Sequence, residues 1–241
     1  MGRLQMKRGE AMETHGGTLL FELDERVSRW HLLRHPFYQD WQAGRLDRSA
    51  LQLYAAQYYR HVEAFPQHLR RLAARAPVDS GQAGAGLREL ITENLAEEEN
   101  PVRTHPQLWR DFAAAVGATE AVLDRSAALP GTQALVDTYR KICSEHPVAE
   151  AVAALYAYEA QVPEIATQKK EGLRRFYGVS DPKGLAYFAV HEEADVRHRA
   201  AWRGWLEQNA CDSTGRVLGT AEEALHALWG ALDSVYYTPR G

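Results

Sequence analysis

Three side chains in the stretch His191-Glu-Glu-Ala-Asp195-Val-Arg-His198 are spaced to do chemistry together. At about 100° per residue, spacings of four and three put His191, Asp195 and His198 on one face of a helix. Two imidazoles and a carboxylate on one face form a metal-ligand stripe of the kind that helical bundles complete with ligands from facing helices. The apolar run Leu185-Ala-Tyr-Phe-Ala-Val190 just upstream leads this helix into a core, whereas Glu192 and Glu193 mark a solvated side. The bland use of the same pattern is a surface network of histidine and aspartate.

Further ligands have to come from elsewhere in the chain. Glu159 ends the apolar segment Ala151-Val-Ala-Ala-Leu-Tyr-Ala-Tyr-Glu159, where a lone buried carboxylate is costly unless it is paired or binds a cation. Pro163 lacks the amide that would bond the Glu159 carbonyl, so the helix loosens at that carboxylate. The alternative is a core glutamate hydrogen-bonded to a tyrosine or glutamine. Glu98 belongs to the acidic run Glu93-Asn-Leu-Ala-Glu97-Glu98-Glu99, and His105 follows seven residues later, beyond the break at Pro101. That run reads equally as a solvated helix end. Glu223-Ala-Leu-His226 has the Glu-x-x-His spacing of di-iron bundles, but no second such pair exists, so it reads as incidental.

Helices must position these groups. Apolar residues recur at three and four, breakers are confined to a few places, and no segment reads as a strand. The pattern predicts helices over about Thr18–His31, Arg48–Ala74 with a bend near Pro66, Gln82–Glu99, a short one from Pro106, and another to Ser126. It continues with Gly131–Ser144, Val148–Tyr177 interrupted at Pro163, a helix capped by Asp181-Pro182, and Thr220–Tyr236. Seven or so helices without an internal repeat describe one all-α bundle domain over residues 18–241, preceded by a polar extension, 1–17, with no assigned role.

Composition narrows the partners. With 28 basic against 32 acidic residues and no basic run interleaved with aromatics, a nucleic-acid partner is not expected. Cys143 and Cys211 have no Cys-x-x-Cys spacing, which argues against a disulfide framework, a zinc ribbon or an iron–sulfur cluster. No window is apolar enough for a membrane span and the first residues lack the apolar core of a signal peptide, so a cytoplasmic location is expected.

These motifs, with His35-Pro-Phe-Tyr38-x-x-Trp41, Tyr54, Tyr58-Tyr59-x-His61-x-x-Ala-Phe-Pro66 and His105-Pro-x-Leu-Trp109, resemble the CADD-like proteins (Chlamydia protein associating with death domains) of the heme-oxygenase-like, TenA/PqqC-related superfamily. The resemblance runs from about Leu20 to Ser234. It implies a seven-helix heme-oxygenase-like bundle that binds no heme but holds two metal ions, iron with iron or iron with manganese. It also implies Glu98, His105, Glu159, His191, Asp195 and His198 as ligands. The activity implied is formation of p-aminobenzoate for folate synthesis, consuming dioxygen and electrons from an external reductant. In that chemistry the enzyme sacrifices its own tyrosine, matched by Tyr38, and draws nitrogen from a lysine, matched by Lys169. Lys169 falls some 80° off the Glu159 face on an unbroken helix, with Lys170 as neighbour. Tyr187, Tyr54 and Tyr158 are implied to relay a radical or to order Tyr38, and a homodimer is implied as well. Two rivals remain. One is a catalytic di-iron oxygenase or N-oxygenase acting on a free amino or fatty acid, which would keep the six ligands without requiring Tyr38 or Lys169. The other is a non-catalytic module binding helical partner domains, which would show a large exposed apolar stripe.

Overall fold

The computed structural model describes residues 17–76, 81–210 and 214–239. Cys211 and the expected N-terminal extension, apart from its last residue, lie outside them. Helix α1 spans 17–29. After a 3-10 turn, Leu32–Arg34, come α2 (Pro36–Gln42), α3 (Arg48–Arg75), α4 (Gly81–Glu98), α5 (His105–Ala115), α6 (Glu120–Arg125) and α7 (Pro130–Glu145). They are followed by α8 (Val148–Glu159), α9 (Val162–Phe176), α10 (Pro182–Asn209) and α11 (Thr214–Tyr236). Among the described residues there is no strand, and no helix is long and apolar enough to cross a membrane.

The chain is all-α, as its patterning predicts, but the described residues form eleven α-helices rather than about seven. The HPFYQDW segment is itself a helix, α2, nucleated by the His35 Nδ1 cap on the Phe37 amide and by Pro36 in the first turn. The segment expected as one interrupted helix over 148–177 is two helices, because Pro163 cannot donate to the Glu159 carbonyl. Helix α11 starts at Thr214, six residues before the predicted Thr220, since burial of Val217 and Leu218 overrides the low propensity of Gly215 and Gly219. Helix α3 runs unbroken through Pro66.

Helix α3 is the spine. Its inward face buries Leu51, Tyr54, Val62, Phe65, Leu69 and Leu72, each worth about 1.5–3 kcal/mol of transfer free energy, and packs on α4, α5 and α7. Helix α10 lies across α4, α5, α8 and α9, while α11 closes the far side against α7 and α8. Helices α4, α5 and α8, which carry candidate ligands, thus meet α10, which carries three more. Buried Cys143 is a free thiol that burial pushes up to about 12, too high to form a thiolate at neutral pH.

Helices α7 and α11 approach through Gly131, whose amide bonds Ser234 Oγ at 2.9 Å. A side chain there would run into the Gly230 carbonyl and Ser234. Gly131→Ala is expected to cost about 1–3 kcal/mol through overpacking, read as a lower urea midpoint with an unchanged slope.

Candidate metal centre and aromatic pocket

Two helix breaks create the centre. Helix α4 ends at Glu98, and seven residues later α5 opens at His105, held by a capping box in which Thr104 and Gln107 bond each other's backbone amides. Glu98 is thereby turned inward, whereas its neighbours Glu93 and Glu99 face solvent. Glu159 is the last residue of α8 and is 1 % exposed. Gln161 splices the break, donating to the Ala157 carbonyl at 2.9 Å while its Oε1 accepts from the Leu32 amide at 2.8 Å. Helix α10 brings His191, Asp195 and His198 on its inner face.

The six side chains fall into two clusters, Glu98 with His105 and His191, and Glu159 with Asp195 and His198. Within each, candidate ligand atoms lie within 4.8 Å of one another. Glu98 Oε2 is 2.9 Å from His105 Nδ1, and the His105 and His191 rings are 4.5 Å apart. His198 Nδ1 lies 3.4 Å from Asp195 Oδ1 and 3.6 Å from Glu159 Oε2. Glu223 and His226 are exposed on α11, where the His226 ring sits 4.3 Å from Trp30, away from both clusters.

Electrostatics show that these groups fit a cation. Burial, and next the charge of Asp195, push the Glu159 carboxyl up to about 8. Burial disfavours charge on His198, but Asp195, Glu159 and Glu97 outweigh it and lift the ring to about 9. Burial likewise opposes protonation of His105, and Glu98 reverses the balance and raises it. Buried Asp195 Oδ2, His198 Nε2 and His105 Nδ1 make no hydrogen bond, the last despite its closeness to Glu98. Such orphaned atoms call for a partner. His191 Nδ1 donates to the Tyr187 carbonyl at 2.7 Å, which fixes the tautomer and leaves the Nε2 lone pair free to ligate. Nitrogen and carboxylate oxygen without sulfur suit iron or manganese.

Sequence reasoning passed over the groups that hold Glu159. Asn94 Nδ2 donates to its Oε1 at 2.9 Å, and Trp202 Nε1 to its Oε2 at 2.7 Å. The available signal was spacing: Asn94 is four residues before Glu98, and Trp202 four after His198, each on the ligand face of its helix.

Beside the centre lies a pocket of aromatic rings around Lys169. The break before α9 turns Lys169 inward, to 4 % exposure, while Lys170 turns out to an ion pair with Glu192. Lys169 Nζ donates to the Tyr54 hydroxyl at 2.6 Å, which is 3.1 Å from the Tyr38 hydroxyl. The same nitrogen is 5.3 Å from the Tyr38 ring centre, with the faces of Tyr58 and Phe188 at similar range. Burial pushes the Lys169 ammonium down to about 7 and raises the Tyr38 and Tyr54 phenols far above their ordinary value. A cavity of about 20 Å³ is walled by Tyr38, Lys169, Tyr187 and His191 together, so lysine, tyrosine and a candidate ligand face one small space. Tyr187 stacks on His191 at 4.2 Å, and the Tyr58 and Tyr158 hydroxyls are 2.8 Å apart.

The family of iron-containing redox enzymes matches residues 52–229 of this chain. The chain is 39 % identical over 220 residues to the 4-aminobenzoate synthase of Nitrosomonas europaea, covering 89 % of both sequences. It is 39 % identical over 215 residues to the 4-aminobenzoate synthase of Chlamydia trachomatis, covering 89 % of this chain and 90 % of the other. Its fold is similar to that of a TenA homolog from Pseudomonas syringae, with a TM-score of 0.80, 16 % identity and 92 % of each chain covered.

Lys169 makes the folded protein pH-sensitive in a defined sense. Below about 7 the lysine is charged in both folded and unfolded chains, and its burial penalty is fully present. As pH rises from about 7 towards the ordinary 10.5, the unfolded chain holds the extra proton, so stability rises and the penalty fades. Lys169→Met is expected to stabilise the protein by several kcal/mol at most. Denaturant titrations at a series of pH values should show the gain largest at or below pH 7 and shrinking above it.

Proposed function

The chain belongs to the iron-containing redox enzymes, within the TenA-like all-α fold, and we propose that it is a 4-aminobenzoate synthase taking the ring from its own Tyr38 and the nitrogen from Lys169. The observation that carries this reading is the closeness of Lys169 Nζ to the Tyr38 ring, 5.3 Å from its centre, beside a cavity of about 20 Å³ that His191 also lines. That space holds about one water-sized molecule. It suits dioxygen, and Tyr38 and Lys169 themselves form its wall, which favours a substrate built into the protein over the external-substrate oxygenase.

The product's connectivity assigns the atoms. In 4-aminobenzoate the amine stands para to the carboxylate, just as the tyrosine hydroxyl stands para to Cβ. The hydroxyl-bearing ring carbon of Tyr38 therefore takes the nitrogen as its C–O bond breaks and the oxygen leaves as water; the Nζ–Cε bond of Lys169 is cut to free the amine, and Cβ, once its bond to Cα is cut, is oxidised to the carboxylate carbon with dioxygen as the oxidant. Burial leaves a large fraction of Lys169 neutral near pH 7, so its nitrogen keeps the lone pair that bond formation needs. The Tyr54 hydroxyl accepts from that nitrogen and contacts the Tyr38 hydroxyl, holding the two reactants in one hydrogen-bonded row. Raised phenol pKa values keep Tyr38 and Tyr54 protonated in the resting protein. Tyr187, stacked on His191 and facing the same cavity, excludes water and connects the ligand to the pocket.

Glu98, His105 and His191 would hold one metal ion and Glu159, Asp195 and His198 the other, as iron with iron or iron with manganese. Bound there, the ions supply the oxidising chemistry with dioxygen, with electrons drawn from an external donor.

Anaerobic loading with iron or iron plus manganese, then oxygen with a reductant, is expected to release 4-aminobenzoate at no more than about one per chain. Intact-protein mass analysis should place the loss at Tyr38. Tyr38→Phe and Lys169→Met should still bind metal yet lower arylamine release at least about a hundredfold, and full release from either overturns the assignment. Asp195→Asn is expected to lower the metal content by elemental analysis from about two ions per chain to about one.

A further inference from the structure

Helix α2 carries Tyr38 and helix α9 carries Lys169, and their contact is built on two glycines. Three residues beyond Tyr38, the Cδ1–Nε1 edge of the Trp41 indole meets Gly172, three residues beyond Lys169. A Cβ at Gly172 would stand 2.6 Å from both Cδ1 and Nε1 of that indole. The contact is reciprocated just past α2. There, Gly44 adopts φ +68°, and a Cβ on it would stand 2.6 Å from the Phe176 ring, one turn further along α9. Trp41 is fully buried, pressed by Tyr54 at 5.8 Å, Phe112 at 6.4 Å and Tyr177 at 5.7 Å between ring centres, so it cannot swing aside. Its Nε1 also donates to the backbone carbonyl of Lys169 itself, at 3.3 Å.

We propose that Trp41 and Gly172 are a positioning pair that sets the distance between the Tyr38 ring and the Lys169 amine by fixing how closely α2 and α9 approach. The proposal rests on the reading of Tyr38 and Lys169 as reaction partners. Neither residue supplies a reacting atom, although the Trp41 and Tyr38 rings pair at 6.4 Å between centres. They act through the register of the two helices, because both pairs of positions, 38 with 41 and 169 with 172, are one turn apart on a shared face. A methyl group at Gly172 forces the helices apart, and a misplacement of about 1 Å costs on the order of a hundredfold in rate.

The test uses the full-length protein labelled with 3-fluorotyrosine, with the Tyr38 fluorine signal assigned by its absence in Tyr38→Phe. In the metal-free protein that signal should move as Lys169 ionises, with a midpoint near 7, and should stop moving in Lys169→Met. Gly172→Ala is expected to lose most of this response and, when loaded with metal, to lower 4-aminobenzoate per folded chain at least about tenfold. Trp41→Phe removes the indole edge that meets position 172, so Gly172→Ala with Trp41→Phe should recover both the fluorine response and most of the yield. A purely structural role would lower the melting temperature of Gly172→Ala while leaving the response and the yield per folded chain at wild-type levels, and that result overturns the proposal. A Tyr38 signal insensitive to Lys169 in the wild type overturns it too. If Gly172→Ala does not fold, the double variant carries the test: recovery of folding, fluorine response and most of the yield when Trp41→Phe is added bears out the pair, and no recovery overturns it. An enzyme that shows the fluorine response but makes no arylamine would refute the proposed activity and leave the positioning pair standing.

Discussion

The structure depends on burying three carboxylates, Glu98, Glu159 and Asp195, against three imidazoles inside a helical core. Taking such charges out of water costs several kcal/mol each unless counter-charge and hydrogen bonds meet them. Without metal, the compensation is protons, and this is why Glu159 and His198 are both raised. A pair of divalent ions would replace those protons and satisfy the orphaned atoms at once, so affinity for metal and stability of the folded state are one quantity viewed from two sides. The hydrogen bonds from Asn94 and Trp202 meet part of the remaining demand on Glu159 and hold its orientation.

The pocket around Lys169 is built on the opposite principle. Its walls are rings, and among the described residues the close hydrogen-bond partner of the amine is the Tyr54 hydroxyl and no carboxylate pairs with it. Solvation is withheld there and not replaced, which leaves an ammonium that gives up its proton near neutrality. A polar centre that demands charge and an apolar pocket that removes it share one wall, formed by His191 and Tyr187. The arrangement separates two reactivities within a few ångströms without a moving part.

Much of this was legible in the sequence, for reasons particular to each residue. The spacing of His191, Asp195 and His198 fixes a common face on any straight helix, and α10 is uninterrupted there. Glu159 stood out because its neighbours are apolar. In the acidic run, by contrast, one residue is a 100° turn, and only the place where α4 ends decides that Glu98 points in while Glu99 points out. The inward aim of Lys169 was hidden for a related reason: a helix phase counted from Glu159 does not survive the break before α9. The number of helices was underestimated because α2 is too short to show a period, its start being set by the cap at His35, and because the break at Pro163 divides one expected helix into two. Asn94, Trp202 and the Gly172–Trp41 contact belong to tertiary pairing, which local pattern does not encode.

Gln161 joins two places that lie far apart along the chain. Its amide oxygen receives the Leu32 amide, 129 residues away in sequence, while its nitrogen holds the last turn of the helix that ends in Glu159. The segment leading into Tyr38 and the segment presenting a buried carboxylate are therefore gauged from one side chain. Dimensional error does not accumulate over the intervening helices, each of which flexes and drifts. The tolerance between the two is set across two hydrogen bonds, much as a machinist locates two bores from a single datum.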